Sequence, residues 1–297
     1  MKLVTFKTSN DTIHAGVVRN ERVLLLNYPT LLELLQDPKG MTKAHQALES
    51  SQSGFALNTV TLLPPVPNPP TLRDFYAFEQ HVKTARARRG QSMIPEWYEI
   101  PTFYFSNTSE LYGHDAPIPY PVGSKELDME LEIACIIGRE GKDISIDEAA
   151  EYIAGYTIMN DWSARDFQRL DMKLNLGPGK GKDFATSLGP WLVTLDELVM
   201  RRTGNGATER YDMPMIARVD GQEISHGNFN QIYYSFPQII AHASRNARLR
   251  PGDIIGSGTV GTGCLLELGP KVHTWFRRGE TIELEIDGIG ILRNTIV

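Results

Sequence analysis

Two cysteines in 297 residues, Cys135 and Cys264, leave no material for a disulfide framework or a cysteine-rich zinc site. Both lie in apolar, strand-like surroundings and read as buried, reduced thiols, which points to a reducing compartment. An excess of basic residues is equally absent. With 30 Lys and Arg against 36 Asp and Glu, the formal net charge is −6, so no overall field draws the chain to nucleic acid or to an anionic membrane. No stretch approaches the roughly 20 apolar residues of a membrane span, and Met1-Lys-Leu-Val-Thr-Phe6 lacks the long apolar core of a signal peptide. The expectation is a cytoplasmic, soluble protein with no nucleic-acid or membrane partner. Repeats, low-complexity segments and βαβ alternation are missing too, which argues against solenoids, a Rossmann fold and a TIM barrel.

What is present divides at Pro64-Pro-Val-Pro-Asn-Pro-Pro70, an extended run that continues neither sheet nor helix. Residues 1–63 read as a small α+β domain: short strands at Lys2–Phe6, His14–Arg19, Arg22–Leu26 and Thr59–Leu63, with helical stretches at Leu31–Leu35 and Lys43–Leu48. Residues 71–297 read as a larger, mainly β domain. Its strands fall at Thr102–Phe105, Leu127–Gly138, Gly155–Asp161, Trp191–Thr194, Met215–Val219, Asp253–Ile255, Leu265–Leu268 and Thr281–Ile286. Asp220-Gly221 and Asp287-Gly288 supply hairpin turns. Helices are expected from Arg73 through Lys83 towards Arg89, placing Asp74, Phe78 and His81 on one face, and at Ser145–Tyr152, Trp162–Arg169 and Ser235–Ser244. Ser145 and Glu148 have the spacing of a capping box.

Chemistry concentrates in Leu127-Asp-Met-Glu-Leu-Glu-Ile-Ala-Cys-Ile-Ile-Gly138, where an apolar strand carries Glu130 and Glu132. Residues two apart on a strand share a face, so both carboxylates can reach one ion. Buried without partners they would cost several kcal/mol or be protonated. The pair alone also fits the outward face of an edge strand. Asp161 and Asp74 extend the set, and all-oxygen donors suit Mg²⁺, Mn²⁺ or Ca²⁺ rather than zinc. The loop Gly177-Pro-Gly-Lys-Gly-Lys182 lacks the terminal Ser/Thr and preceding strand of a phosphate loop. It reads either as a solvated connector or as the carrier of Lys182 to the carboxylates. His81 stands out by its nearness to Asp74, to Glu79 and to the arginines that follow it.

Together these residues resemble the fumarylacetoacetate hydrolase family from Arg73 to Glu267. The similarity is most specific in Met159-Asn-Asp-Trp-Ser-Ala-Arg-Asp-Phe-Gln168, with Asp74-Phe-Tyr76, His81 and the Glu-x-Glu pair before it. The resemblance implies an α+β, mainly β fold: a mixed β-roll domain, usually homodimeric, preceded by a small N-terminal domain. It implies Asp74, Glu130, Glu132 and Asp161 as ligands of a divalent cation, His81 as general base oriented by Glu267, and Lys182 assisting at metal and substrate. Tyr76, Tyr104, Gln168 and Thr259 would line the pocket, and one of Arg86, Arg88 and Arg89, with Arg88 taken as the representative, would bind a substrate carboxylate. Two departures bear on substrate: Met172 replaces a substrate-binding tyrosine, and Ser106-Asn107 replaces a lysine of many short bacterial members. The implied activity is hydrolysis of a carbon–carbon bond in a small 1,3-dicarbonyl or acylpyruvate-like acid, as in aromatic catabolism. Decarboxylation, isomerisation or dehydration of a 2-oxo acid is the alternative at the same site. A non-catalytic protein with a purely structural cation would not need His81, Lys182 and Glu267 as well.

Overall fold

In the computed structural model, which describes residues 1–50 and 53–297, the apolar run after Glu130 becomes the strand Leu131–Ile137, every residue of it buried. A strand buried on both faces needs cover on both. Ile153–Asp161 pairs with it on one side, Glu132 opposite Met159, and Ile254–Gly256 pairs on the other. The sheet runs in the order Phe55–Ala56, Arg22–Leu25, Ile13–Arg19, Lys2–Lys7, Thr186–Val193, Ile153–Asp161, Leu131–Ile137, Ile254–Gly256, Leu72–Phe75, Phe103–Phe105. It is mixed: Ile254–Gly256 runs parallel to Leu72–Phe75, and Leu111–Tyr112 runs parallel to Thr186–Val193. The expected α+β, mainly β architecture is the one observed. The edge-strand reading of the glutamate pair is not, because their strand is central.

Side-chain alternation assigns the two faces. Ile133, Cys135, Tyr156 and Ile158 pack against Met215, Ala217, Ile282 and Leu284 of a second sheet, ordered Gln222–Asn228, Pro214–Val219, Thr281–Ile286, Gly290–Thr295. The opposite face, with Ala134, Ile136, Met159, Leu188 and Ile254, packs against Leu3, Val17, Leu24, Leu31 and Leu34. The last two belong to the helix Leu31–Gln36, whose N-cap Thr30 forms a capping box with Glu33. Residues 1–63 and the chain from residue 71 thus share one sheet, Lys2 pairing with Val193 and Leu3 with Leu192. Glu130 and Glu132 lie on the same face as Ala134 and Ile136, further along the strand.

Three expectations need correction. The helix predicted from Arg73 begins only at Glu79 and ends at Ala87, while Leu72–Phe75 is a buried strand. Pairing decides this: Leu72, Arg73 and Asp74 register with Ile254, Ile255 and Gly256, so Asp74 and His81 reach the centre from different elements. Leu265–Leu268, predicted as a strand, is a short helix that ends at Gly269, whose φ of 76° favours glycine. Ser145 and Glu148 do hydrogen-bond, Oγ to Oε2 at 2.7 Å, but only the 3₁₀ turn Ala149–Tyr152 follows before the next strand. Phe236–Ser244 is the expected helix, capped by Ser235, and Asp220-Gly221, with φ of 48° and 80°, turns Val219 back to Gln222. Both cysteines are buried and unpaired. Among the described residues no helix is long and apolar enough to cross a membrane.

Candidate metal centre and active site

Three strands deliver the carboxylates to one end of the sheet. Asp74 lies on Leu72–Phe75, Glu132 on Leu131–Ile137 and Asp161 at the end of Ile153–Asp161, while Glu130 sits just before its strand, one step beyond the Leu131–Asn160 pair. One oxygen of each lies within 4.8 Å of the others, and all four residues are buried. The strand between them contributes space and a donor. A Cβ on Gly256 would meet Asp74 Oδ1 at 2.5 Å, and Gly258, at φ 76°, would press a Cβ on the Phe75 carbonyl at 2.4 Å. Free of side chains there, the backbone comes close enough for the Gly258 N–H to donate to Asp74 Oδ1 (3.1 Å) and Glu132 Oε2 (3.0 Å).

The electrostatics are those of a cradle short of positive charge. Lys182 Nζ lies 2.7 Å from Glu130 Oε2 and 2.5 Å from Asp161 Oδ2, and Arg165 Nη2 lies 2.8 Å from Glu130 Oε1, so two cations face four carboxylates. Burial, reinforced by Asp161, pushes Asp74 up to about 8, and burial with the neighbouring acids raises Glu132 well above the carboxylate range. Glu130 moves the other way: burial would raise it, but Lys182 and Arg165 outweigh burial and hold it low. Among the described residues, Glu132 Oε1 and Asp161 Oδ1 have no hydrogen-bond partner despite being buried. Unpaired buried carboxylate oxygens of this kind fit a hard divalent cation. Of the two readings of the glycine-rich loop, burial of Lys182 selects the second. Lys182→Met is expected to destabilise the ion-free protein by about 3–5 kcal/mol, because Glu130 and Asp161 lose their buried partner. Melting with and without Mn²⁺ checks this, the ion recovering part of the loss.

A second group lies beside the first. His81, on the helix Glu79–Ala87, contacts Glu267 Oε1 through Nδ1, and Glu267 Oε2 accepts from the Thr262 N–H. Thr262 holds φ 68°, a left-handed conformation that costs a β-branched residue about 1–3 kcal/mol and that clusters at functional sites. Glu79 is turned away from His81, binding Lys83 and Tyr98 instead. The Tyr76 ring meets the His81 ring edge-on at 5.2 Å, and burial raises its phenol to about 12. The Tyr104 hydroxyl donates to Asp161 Oδ2.

The remaining expected residues make no direct hydrogen bond to the cradle carboxylates among the described contacts. Arg88 donates to the backbone carbonyl of Glu267, Arg86 to Ser92 and Arg89 to Ala85, with Arg89 Nη1 also 3.8 Å from Met172 Sδ. Gln168 accepts from Arg165 Nη1 at 2.9 Å, and the Thr259 hydroxyl donates to the Leu131 carbonyl at 3.2 Å. Asn107 donates to the Asp183 carbonyl.

Sequence reasoning passed over Arg165, Asp128 and Asn160. Arg165 is 2% exposed and bridges Asp128 Oδ2 and Glu130 Oε1, both at 2.8 Å, while Asn160 Oδ1 accepts from the Glu130 N–H at 3.0 Å. Their signal was available: Asn160 and Arg165 flank Asp161 in the most specific run, and Asp128 opens the glutamate strand.

A buried oxygen-donor cluster beside an imidazole–carboxylate pair is the arrangement of an enzyme rather than of a binding scaffold. Comparison with known proteins gives the class a family. The sequence model of the fumarylacetoacetate (FAA) hydrolase C-terminal domain matches residues 71–297, and the chain belongs to the fumarylacetoacetate hydrolase family of enzymes. It is 33% identical to a fumarylacetoacetase of Arabidopsis thaliana, over 66% of this chain and 57% of that protein. It is 31% identical to a mitochondrial oxaloacetate tautomerase of Xenopus laevis, over 86% of this chain and 74% of that one. The chain spans 57–66% of the length of the plant and rat fumarylacetoacetases it matches. Among solved structures, a maleylpyruvate hydrolase of Sphingobium, in complex with manganese(II) and pyruvate, shares the fold. Its TM-score is 0.74 at 23% identity, covering 100% of this chain and 99% of that one. So does a 5-carboxymethyl-2-hydroxymuconate delta-isomerase of Mycobacterium smegmatis, with TM-score 0.71, 24% identity and the same coverage.

Proposed function

We propose that this enzyme hydrolyses a carbon–carbon bond in a small acylpyruvate-like or other 1,3-dicarbonyl acid, with a divalent cation, Mg²⁺ or Mn²⁺, held by Asp74, Glu130, Glu132 and Asp161. The observation that carries the reading is the His81–Glu267 pair beside the four-carboxylate cradle. A cation held by these four carboxylates would supply Lewis acidity to the substrate. With Nδ1 engaged by Glu267, His81 has Nε2 free to take a proton from water, whose oxygen attacks the carbonyl carbon. The carbon–carbon electron pair then leaves with the departing carbon, which regains a proton. Lys182 donates to the oxygen on which negative charge grows, and Glu267 holds the imidazole in orientation and stabilises its protonated form. Tyr76, edge-on to the His81 ring, borders the His81 side of the pocket, and one of Arg86, Arg88 and Arg89, which follow His81 in the chain, would bind a substrate carboxylate.

A second reading has its own support. The chain aligns over a larger share of the tautomerase than of the fumarylacetoacetases, and the same centre can enolise a 2-oxo acid without attack by water. Assay of a panel of acylpyruvates and 2-oxo acids with Mg²⁺ or Mn²⁺ tests both readings. Ion-dependent cleavage of an acylpyruvate is the expected outcome. Proton exchange or tautomerisation without cleavage selects the second reading, and inactivity across the panel overturns both.

A further inference from the structure

Asp128 lies outside both functional groups and bonds to a neighbour of each. Its side chain is completely buried. Oδ2 accepts from Arg165 Nε at 2.8 Å and from the Leu266 N–H at 3.0 Å, and Oδ1 accepts from the Leu265 N–H at 2.7 Å. The first bond leads to the cradle, because the same guanidinium holds Glu130. The other two lead to the turn Leu265–Leu268, whose third residue is Glu267, the partner of His81. One carboxylate therefore ties the segment that orients the imidazole to the segment that orients a ligand. Backbone bonds also join these segments, the Leu131 N–H donating to the Gly263 carbonyl and the Val260 N–H to the Leu131 carbonyl, both at 3.0 Å; to these Asp128 adds a side-chain link that runs through Arg165 to Glu130 and directly to the turn that carries Glu267.

We propose that Asp128 is a positioning residue that fixes the His81–Glu267 pair in register with the carboxylate cradle, acting through Arg165 on one side and the Leu265–Leu268 turn on the other. The inference rests on the proposed function for its kinetic consequence, though not for its structural one. Charge neutralisation of Arg165 alone would not require the two backbone contacts; setting the distance between two groups would. Outer-shell partners of this sort typically matter by about 10- to 100-fold in activity or metal affinity.

The test uses Asp128→Asn, which keeps the shape but turns one acceptor into a donor, and Asp128→Glu, which keeps the charge but carries the carboxylate one methylene too far. For a substrate found in the panel, kcat is expected to fall about 10- to 100-fold in both variants, while KM and Mn²⁺ affinity each change by less than about threefold. Independently of any substrate, the downfield ring N–H proton resonance of His81, assigned by its loss in His81→Gln, is expected to shift or vanish in both. Restoration of kcat and of the resonance by Asp128→Glu would leave only a charge-balancing role and overturn the proposal. So would an unmoved resonance, or parallel losses of Mn²⁺ affinity and kcat, which would place Asp128 with the cradle alone. Should Asp128→Asn not fold, Asp128→Glu decides by the same readings. If the native enzyme turns over nothing in the panel, the functional reading fails and the His81 resonance still decides the positioning role.

Discussion

Glu132→Ala is expected to abolish divalent-cation binding and turnover together while leaving the protein folded. Glu132, like Asp161, is completely buried, and its Oε1 has no partner among the described residues. Removing it takes away a ligand, yet orphans little: the Gly258 N–H retains Asp74 as acceptor at 3.1 Å. It also removes an acid that burial and the nearby Asp74, Glu130 and Asp161 all disfavour in its charged form. The ion-free variant thus escapes repulsion that offsets part of the cavity it leaves. In the native protein, Mn²⁺ at a hundredfold excess over Kd raises stability by about 2.7 kcal/mol. In Glu132→Ala that increment should vanish, as read by thermal unfolding with and without Mn²⁺ and by titration calorimetry. Full activity or an undiminished ion-dependent shift would remove the cradle from the proposed chemistry.

His81→Gln separates water activation from the other tasks of the centre. Its expected effect is a loss of carbon–carbon hydrolysis of about 10²- to 10⁴-fold, the usual contribution of a positioned general base. Mn²⁺ affinity should be almost unchanged, because His81 bonds Glu267 and lies outside the four-carboxylate group. Exchange of a substrate α-proton with solvent deuterium, followed by NMR, should persist if the cradle and Lys182 govern enolisation. Retained hydrolysis would show that water is activated elsewhere, and would shift the balance to tautomerisation or decarboxylation.

The legibility of these features in the sequence followed the range of the interactions behind them. The Glu130/Glu132 pair could be read because strand periodicity is local and two residues of one strand must share a face. Asp161, ending an apolar strand on a polar note, was readable for the same reason. Asp74 was named as a ligand but set on a helix: the segment from Arg73 has helical spacing, and only pairing with Ile254–Gly256, some 180 residues on in the chain, makes it a strand. Leu265–Leu268 failed through brevity, since a four-residue apolar stretch satisfies either period. Arg165 heads a helix rich in charge and looks like surface; what buries it is a partner 37 residues earlier. Lys182 sits in a loop whose composition suggests solvent. Its burial depends on the turn Gly179–Lys182 folding onto the helix Arg165–Met172, so closely that a Cβ on Gly181 would meet the Gln168 backbone nitrogen at 2.6 Å.

The pairing of Lys2–Lys7 with Thr186–Val193, and of that strand with Ile153–Asp161, has a thermodynamic corollary. Two segments that share hydrogen-bonded strands and an apolar face form a cooperative unit, and fraying in one is resisted by the other. The N-terminal strands therefore lend rigidity to Asp161 at a distance, Lys2–Lys7 lying two strands away in the sheet. Ion binding at the cradle and order in the first strands are linked equilibria, each drawing the other towards the folded state.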